Sequence, residues 1–178
     1  MIIDISQWKE FLVKDLFEII NGKGITQDEI DENPGSFPAV QSGEDGLGVM
    51  GYIDYDYCIA KKYSLTTKPC LTVARSGTAG FVSFHPHGCV VGDSAKILLL
   101  KETVDRPEEV YLFLSVLLNK NRYKYSYGRK VTLEGYRKTT LLLPVNAQGH
   151  PDWAYMADYI ADIENRERKK VLSVLGNR

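Results

Sequence analysis

The stretch from Leu71 to Leu100, LTVARSGTAGFVSFHPHGCVVGDSAKILLL, constrains this chain more than any other. Its apolar and β-branched runs are short, and turn residues cut each of them. The pattern predicts three short strands joined by turns built from Gly, Ser and Thr. The turns carry Arg75-Ser76-Gly77-Thr78-Ala79-Gly80 and Gly92-Asp93-Ser94. Small residues there let a partner approach the backbone closely, and glycine tolerates backbone angles that other residues resist. A small-residue loop with one arginine suits a surface that follows a polyanion better than it suits a packed core.

The 178 residues suffice for one domain with a real core plus an appendage. The formal net charge of −1 makes no case for nucleic acid by itself. Its distribution is polar: residues 1–58 carry −9, residues 59–110 carry +2 and residues 111–178 carry +6. Such a layout fits one face that meets an anion, and equally a dipolar molecule with no use for it. Cys58, Cys70 and Cys89 are an odd count, and Met1-Ile2-Ile3-Asp4 turns acidic at once. A cytoplasmic protein with free, mostly buried thiols is expected. Apolar runs such as Val110–Leu118 fall far short of the ~20 residues of a membrane span, so no membrane partner is expected.

Along the chain, Trp8–Asn21 reads two ways. Phe11-Leu12-Val13 and Glu18-Ile19-Ile20 suit strands around a short turn, whereas Trp8, Leu12 and Leu16 would line one helix face. Thr26–Gly35 is acidic and ends in a turn at Asn33-Pro34-Gly35. Phe37–Val40 predicts a strand, Gln41–Gly51 a Gly-rich loop, and the aromatic Tyr52–Ala60 an extended segment. Asp105–Asn119 predicts a helix capped by Asp105, with Pro107 in its first turn and an apolar stripe from Val110 to Leu118. Thr140–Leu143 predicts a strand stopped by Pro144. After a polar hinge, Asp152 caps a final helix running to about Leu175, roughly 35 Å long at 1.5 Å per residue. Trp153, Met156, Ile160 and Ile163 repeat there at coiled-coil spacing, Glu164–Lys170 interrupts them, and Val171 and Val174 resume the seam. Either the domain's own core or a partner helix covers that seam.

Several segments in order resemble one known family. Trp8, Asp15-Leu16-Phe17-Glu18-Ile19 and Gly22-Lys23 are similar to the opening of a target recognition domain from the DNA specificity (S) subunits of type I restriction–modification systems. Thr72–Gly80 resembles the small-residue loop of that family, and Leu142-Leu143-Pro144 its passage into a spacer helix. Gly149-His150-Pro151-Asp152-Trp153 resembles a variant found in fused restriction–methylation systems. A full specificity subunit has two recognition domains and two spacer helices; this chain has one of each and looks like half a subunit. The resemblance implies an α+β fold: a mixed, mainly antiparallel β-sheet recognition domain over residues 1–145 with short helices, then a spacer or dimerisation helix over residues 146–178. It implies double-stranded DNA, modification (methyltransferase) and restriction subunits as partners, a homodimer through Trp153, Met156, Ile160, Ile163, Val171 and Val174, no cofactor, and no catalytic residues. Two such readers about a two-fold axis would bind an inverted repeat with a gap.

The residues themselves supply a candidate surface. Lys120–Lys138 interleaves Lys124, Arg129 and Lys130 with Tyr125 and Tyr127, against the single acid Glu134. Cations neutralise phosphates, and tyrosine bonds phosphate or stacks on a base. Arg75 is the best single candidate for a base edge, because arginine pairs bidentately with guanine. A phosphate contact or a salt bridge to Asp93 is its alternative. Ser76, Thr78 and Ser94 would add hydroxyls, and Lys23, Ser42 and Tyr52 lie on connections that would extend the same wall. Tyr52, Tyr55, Tyr57 and Tyr63 equally suit half-buried strand positions. A competing reading is a protein-interaction module whose acidic first third acts as a decoy in a partner's DNA channel.

Two chemical motifs do not hold up. Pro151-Asp152 with Glu167-Arg168-Lys169 spells a nuclease string, but both pieces fall on one predicted helix, about 22 Å apart. His85, His87 and Cys89 alternate as metal ligands on one strand would, yet no fourth ligand has fitting spacing; a turn around Pro86 and Gly88 is the expectation.

Overall fold

A computed structural model describes residues 5–125 and 130–175. The fold is α+β. Its first strand, β1 (Lys9–Leu12), pairs antiparallel with its last, β10 (Thr140–Leu143), so both ends of the recognition body are tied to each other. A single helical turn, α1 (Val13–Leu16), then leads into β2 (Phe17–Asn21). Of the two readings of this segment, strands around a short turn is the one adopted.

Two four-stranded sheets follow. One has the order β2, β9 (Ala95–Leu100), β6 (Cys70–Ala74), β7 (Val82–His85), antiparallel throughout. The other has the order β4 (Val49–Ile53), β3 (Pro34–Val40), β8 (Cys89–Val91), β5 (Leu65–Thr66). Its β3 and β8 run parallel, with Ala39 opposite Val90 and Val40 opposite Val91; its other pairs are antiparallel. Leu71–Leu100 therefore holds four strands rather than three, because the turn at Pro86–Gly88 sends Cys89–Val91 into the second sheet.

The sheets bury three clusters. Leu71, Val73 and Leu98 face the helix α4 (Pro107–Lys120) through Val110, Phe113, Leu114 and Leu118. Cys70, Ala95 and Ile97 meet Val40, Cys89 and Val91 between the sheets. Ile53, Cys58 and Val90 pack with Ile30 of α2 (Gln27–Glu32) and with Ile25 just before it. Every residue of β6 is buried, so the strand is covered on both faces. All three cysteines are buried and free.

Other local expectations fail. Pro34 and Gly35, expected in a turn, open β3. Tyr55–Ala60 forms the helix α3, not an extended segment. The Asp54 carboxylate accepts from the Tyr57 amide at 2.7 Å, and this N-cap outweighs the β-preference of the aromatics. At α4 the capping position is Arg106, not Asp105, and no side chain caps it; Pro107 does occupy the first turn. The short helix α5 (Leu133–Arg137) lies in the basic segment, capped by the Thr132 hydroxyl.

The final helix, α6 (Trp153–Leu175), starts where Asp152 Oδ1 accepts from the Tyr155 amide at 3.0 Å. Its first turns pack on α4: Met156 and Ala157 are buried, and Tyr159 meets Phe113 edge-to-face. Val171 and Val174 are 58% and 64% exposed. Met156 therefore belongs to the domain's own core and is withdrawn from any dimer seam. Trp153 and Ile160 are half-buried against the same core, and Trp153 Nε1 donates to Glu102 at 2.9 Å. Among the described residues no helix is long and apolar enough to cross a membrane.

Candidate nucleic-acid interface

The loop from Arg75 to Gly80 joins β6 to β7, and main-chain bonds close it tightly. The Gly80 amide donates to the Ala74 carbonyl at 2.9 Å, and the Phe81 amide to the Thr78 carbonyl at 2.9 Å. Gly80 has φ +83°, and a Cβ there would stand 2.8 Å from the Tyr125 ring. Only glycine meets both conditions without strain.

Arg75 is the point where three segments meet. Its amide donates to the Ser94 carbonyl at 2.7 Å, and its carbonyl accepts from the Val131 amide at 2.9 Å. The backbone is thus clamped between the 92–94 turn and the basic segment, while the side chain stays exposed. The guanidinium touches the Asp93 main-chain carbonyl at 3.3 Å rather than the Asp93 carboxylate. Lys130, exposed, is the residue before Val131 and so stands beside Arg75 in the chain path.

A polar knot braces this junction from the other sheet. Ser94 donates its amide to Gln41 Oε1 at 3.1 Å and its hydroxyl to the same oxygen. Ser94 Oγ accepts from the Ser42 amide at 3.1 Å, and Gln41 Nε2 donates to the Ile25 carbonyl at 3.3 Å. Gly92 lies against the Gln41 carboxamide so closely that a Cβ would overlap it. The Ser94 hydroxyl is consequently a brace, not the free group expected of it. Ser42 Oγ lies beside Gly77, at the lip of the loop.

Other expected contacts fare unequally. Ser76 is half-buried in the loop. The Thr78 hydroxyl turns inward and is buried without a hydrogen bond among the described residues, so it is not on the outer surface. Tyr125 is a wedge: its ring packs on Gly80 and on Tyr136, and its hydroxyl meets Thr139 Oγ1 at 2.6 Å. The ring is thereby half-buried in the body of the domain. Lys124 lies half-buried with its ammonium over the Tyr123 ring. Lys23 is exposed but spends a hydrogen bond on the Lys62 carbonyl at 2.5 Å. Tyr52 is 58% exposed on the edge strand β4, opposite Pro38. Tyr127 and Arg129 lie outside the described residues. The geometry gathers Arg75, Ser76, Ser42 and Lys130, and leaves Lys23 and Tyr52 on the flanks.

Three features of the site went unread in the sequence. Arg122 pairs with Glu44 and covers the Phe81 ring, pinning the 41–48 loop beside the hairpin. Asn119 ties α4 to β7 in both directions, through Val82 N and O at 2.9 and 2.8 Å. Lys96 is 5% exposed, and its ammonium donates to Asn21 Oδ1 at 2.5 Å. The signal for the last was a lone lysine inside the apolar run Ala95–Leu100.

His85 is buried in β7 against Thr72 and Ser83, and burial holds its pKa down at about 4. His87 is exposed in the turn, and Cys89 has moved to another sheet. No group of three His, Cys, Asp or Glu among the described residues is placed to hold a metal. Asp152 and Glu167 sit at the cap and in the body of one helix, and Glu167 pairs with Lys170.

Residues 5–173 match a family model described as the type I restriction modification DNA specificity domain. The specificity subunit S.BcgI of the type II restriction enzyme BgcI, from Heyndrickxia coagulans, is 27% identical over 159 residues, 89% of this chain and 44% of that protein. The S subunit of a type I restriction–modification system from M. genitalium superposes with a TM-score of 0.60 at 16% identity, covering 96% of this chain and 43% of its own. The HsdS subunit from Thermoanaerobacter tengcongensis gives 0.61 at 14% identity, covering 90% and 38%. The structural likeness at such identities is one of fold. The chain spans less than half the length of each of these relatives.

Proposed function

The chain belongs to the type I restriction modification DNA specificity domain family, and from that premise we propose that it is a single target-recognition unit. It binds a specific double-stranded DNA sequence and directs separate methyltransferase and restriction subunits to it, contributing no chemistry of its own. Residues 1–145 form the reader and residues 146–178 the spacer through which a second copy is recruited, in the cytoplasm. The observation that carries this reading is the clamp at Arg75, whose backbone is bonded both to the 92–94 turn and to the basic segment. The Arg75 side chain is exposed in a loop of small residues, and exposed Lys130 precedes Val131, whose amide the Arg75 carbonyl accepts. Phosphate contacts from Lys130 and the neighbouring cations set the position, and Arg75 reads a base edge.

Selection of bound duplexes from a random pool, followed by mobility-shift titration at low salt, tests the reading. A recovered consensus is expected, bound at least roughly a thousandfold tighter than random duplex. No retardation of any duplex at low salt would leave the competing protein-interaction reading in its place.

A further inference from the structure

Below Arg75 a cleft of about 340 Å³ opens between the ends of β2 and β9 and the start of α5, lined by Asn21, Gly22, Arg75, Asp93, Lys96 and Thr132 among others. We propose that this cleft seats one backbone phosphate of the bound duplex, with the Lys96 ammonium as its deep donor. That contact would fix the register in which Arg75, on the rim, faces the groove. The inference rests on the DNA-binding reading above and adds to it a residue and a site.

The electrostatics of Lys96 carry the case. A lysine only 5% exposed on a central strand is costly unless an anion compensates it. Among the described residues no carboxylate pairs with it; its one partner is the neutral Asn21 amide oxygen, at 2.5 Å. An ammonium has three protons, so donors remain for a ligand. A second cation, Arg75, lines the same cleft, and its guanidinium bonds a main-chain carbonyl rather than an acid. Burial first, and then the nearby Arg75 charge, hold the Lys96 pKa below the ordinary lysine range. Two cations line the cleft and, among the described residues, neither has a carboxylate within ion-pair distance; a phosphate oxygen would complete them, and charge-assisted bonds of that kind are short and strong. Asp93, exposed on the rim, is the one acid among these residues and lies at the solvent side.

The test uses the full chain and two variants, Lys96→Met and Lys96→Gln. The second keeps a donor for Asn21 and removes only the charge. Both are expected to melt as cooperatively as the parent. With duplex DNA, each variant should bind consensus and random sequence roughly tenfold more weakly at low salt, with the salt slope flattened by about 0.9. Base preference should be unchanged. Inorganic phosphate, added to the protein alone, should raise the parent's melting temperature and not that of either variant. An unchanged salt slope in both folded variants, with the parent binding DNA normally, overturns the phosphate seat and leaves the DNA reading intact. A parent that binds phosphate through Lys96 but no duplex overturns the DNA reading, and with it the assignment of the ligand to a DNA backbone.

Discussion

At the scale of single residues, two side chains separate holding from reading. Glu29 holds. Its carboxylate accepts from the Tyr63 hydroxyl at 2.6 Å, the Tyr57 hydroxyl at 3.0 Å and the Thr26 amide at 3.0 Å, joining α2 to α3 and the following loop. The Tyr63 bond, then the Thr26 amide, hold its pKa at about 2. Because the folded value lies below the unfolded one, this stabilisation is complete above about pH 5 and fades as pH falls towards 2. Glu29→Gln should cost roughly 1–2 kcal/mol at neutral pH, and its melting temperature should converge on the parent's as the solution is acidified. Calorimetry across pH 2–7 reads both. Arg75 reads. Arg75→Ala should relax the preference at one base pair by about 1–3 kcal/mol, whereas Lys130→Ala should weaken all duplexes alike. Competition titrations with single-substituted sites distinguish these outcomes, and an equal loss on cognate and random DNA for Arg75→Ala would assign it to phosphate instead.

At the scale of elements, α6 is two objects on one axis. Its first turns are part of the core, where Met156 is fully buried and Tyr159 meets Phe113. Its last turns carry Val171, Leu172, Val174 and Leu175 in the open. Met156→Ala should lower stability by roughly 2–5 kcal/mol in thermal unfolding, because the cavity forms inside a packed body. Heptad spacing marked the break at Glu164–Lys170 but not that the turns before it pack on α4 while those after it stay exposed. The same limit applies to α3. Aromatic content suggested an extended segment, but one capping carboxylate, Asp54, was enough to start a helix. Capping chemistry was legible at Asp152 and passed over at Asp54, although the residue type is the same.

At the scale of the whole molecule, the proposed function joins the charge layout to the exposed end of α6. The acidic first third braces the candidate surface: Glu44 takes Arg122. The basic last third supplies Lys130 beside Arg75. Two copies joined through the open turns of α6 would present two such faces about a two-fold axis. Light scattering should then return twice the chain mass for the parent, and one chain mass for a Val171→Ser, Val174→Ser double variant with an unaltered melting temperature. A parent that stays monomeric at high concentration removes the homodimer.

Local pattern settled the strands at Phe37–Val40 and Thr140–Leu143, where α4 and α6 run, and that Arg75 sits in a loop of small residues. Those features depend on spacing, turn chemistry and caps within a few residues of one another. Local pattern did not settle that Cys89–Val91 crosses into a second sheet beside β3, that the Tyr125 ring fills the space Gly80 leaves open, or that Ser94 is spent on Gln41. Nor did it place the Lys96 ammonium in a cleft with Arg75. Each of these joins residues about twenty or more positions apart, and whether a polar group is free, braced or buried is fixed by which distant segment packs against it.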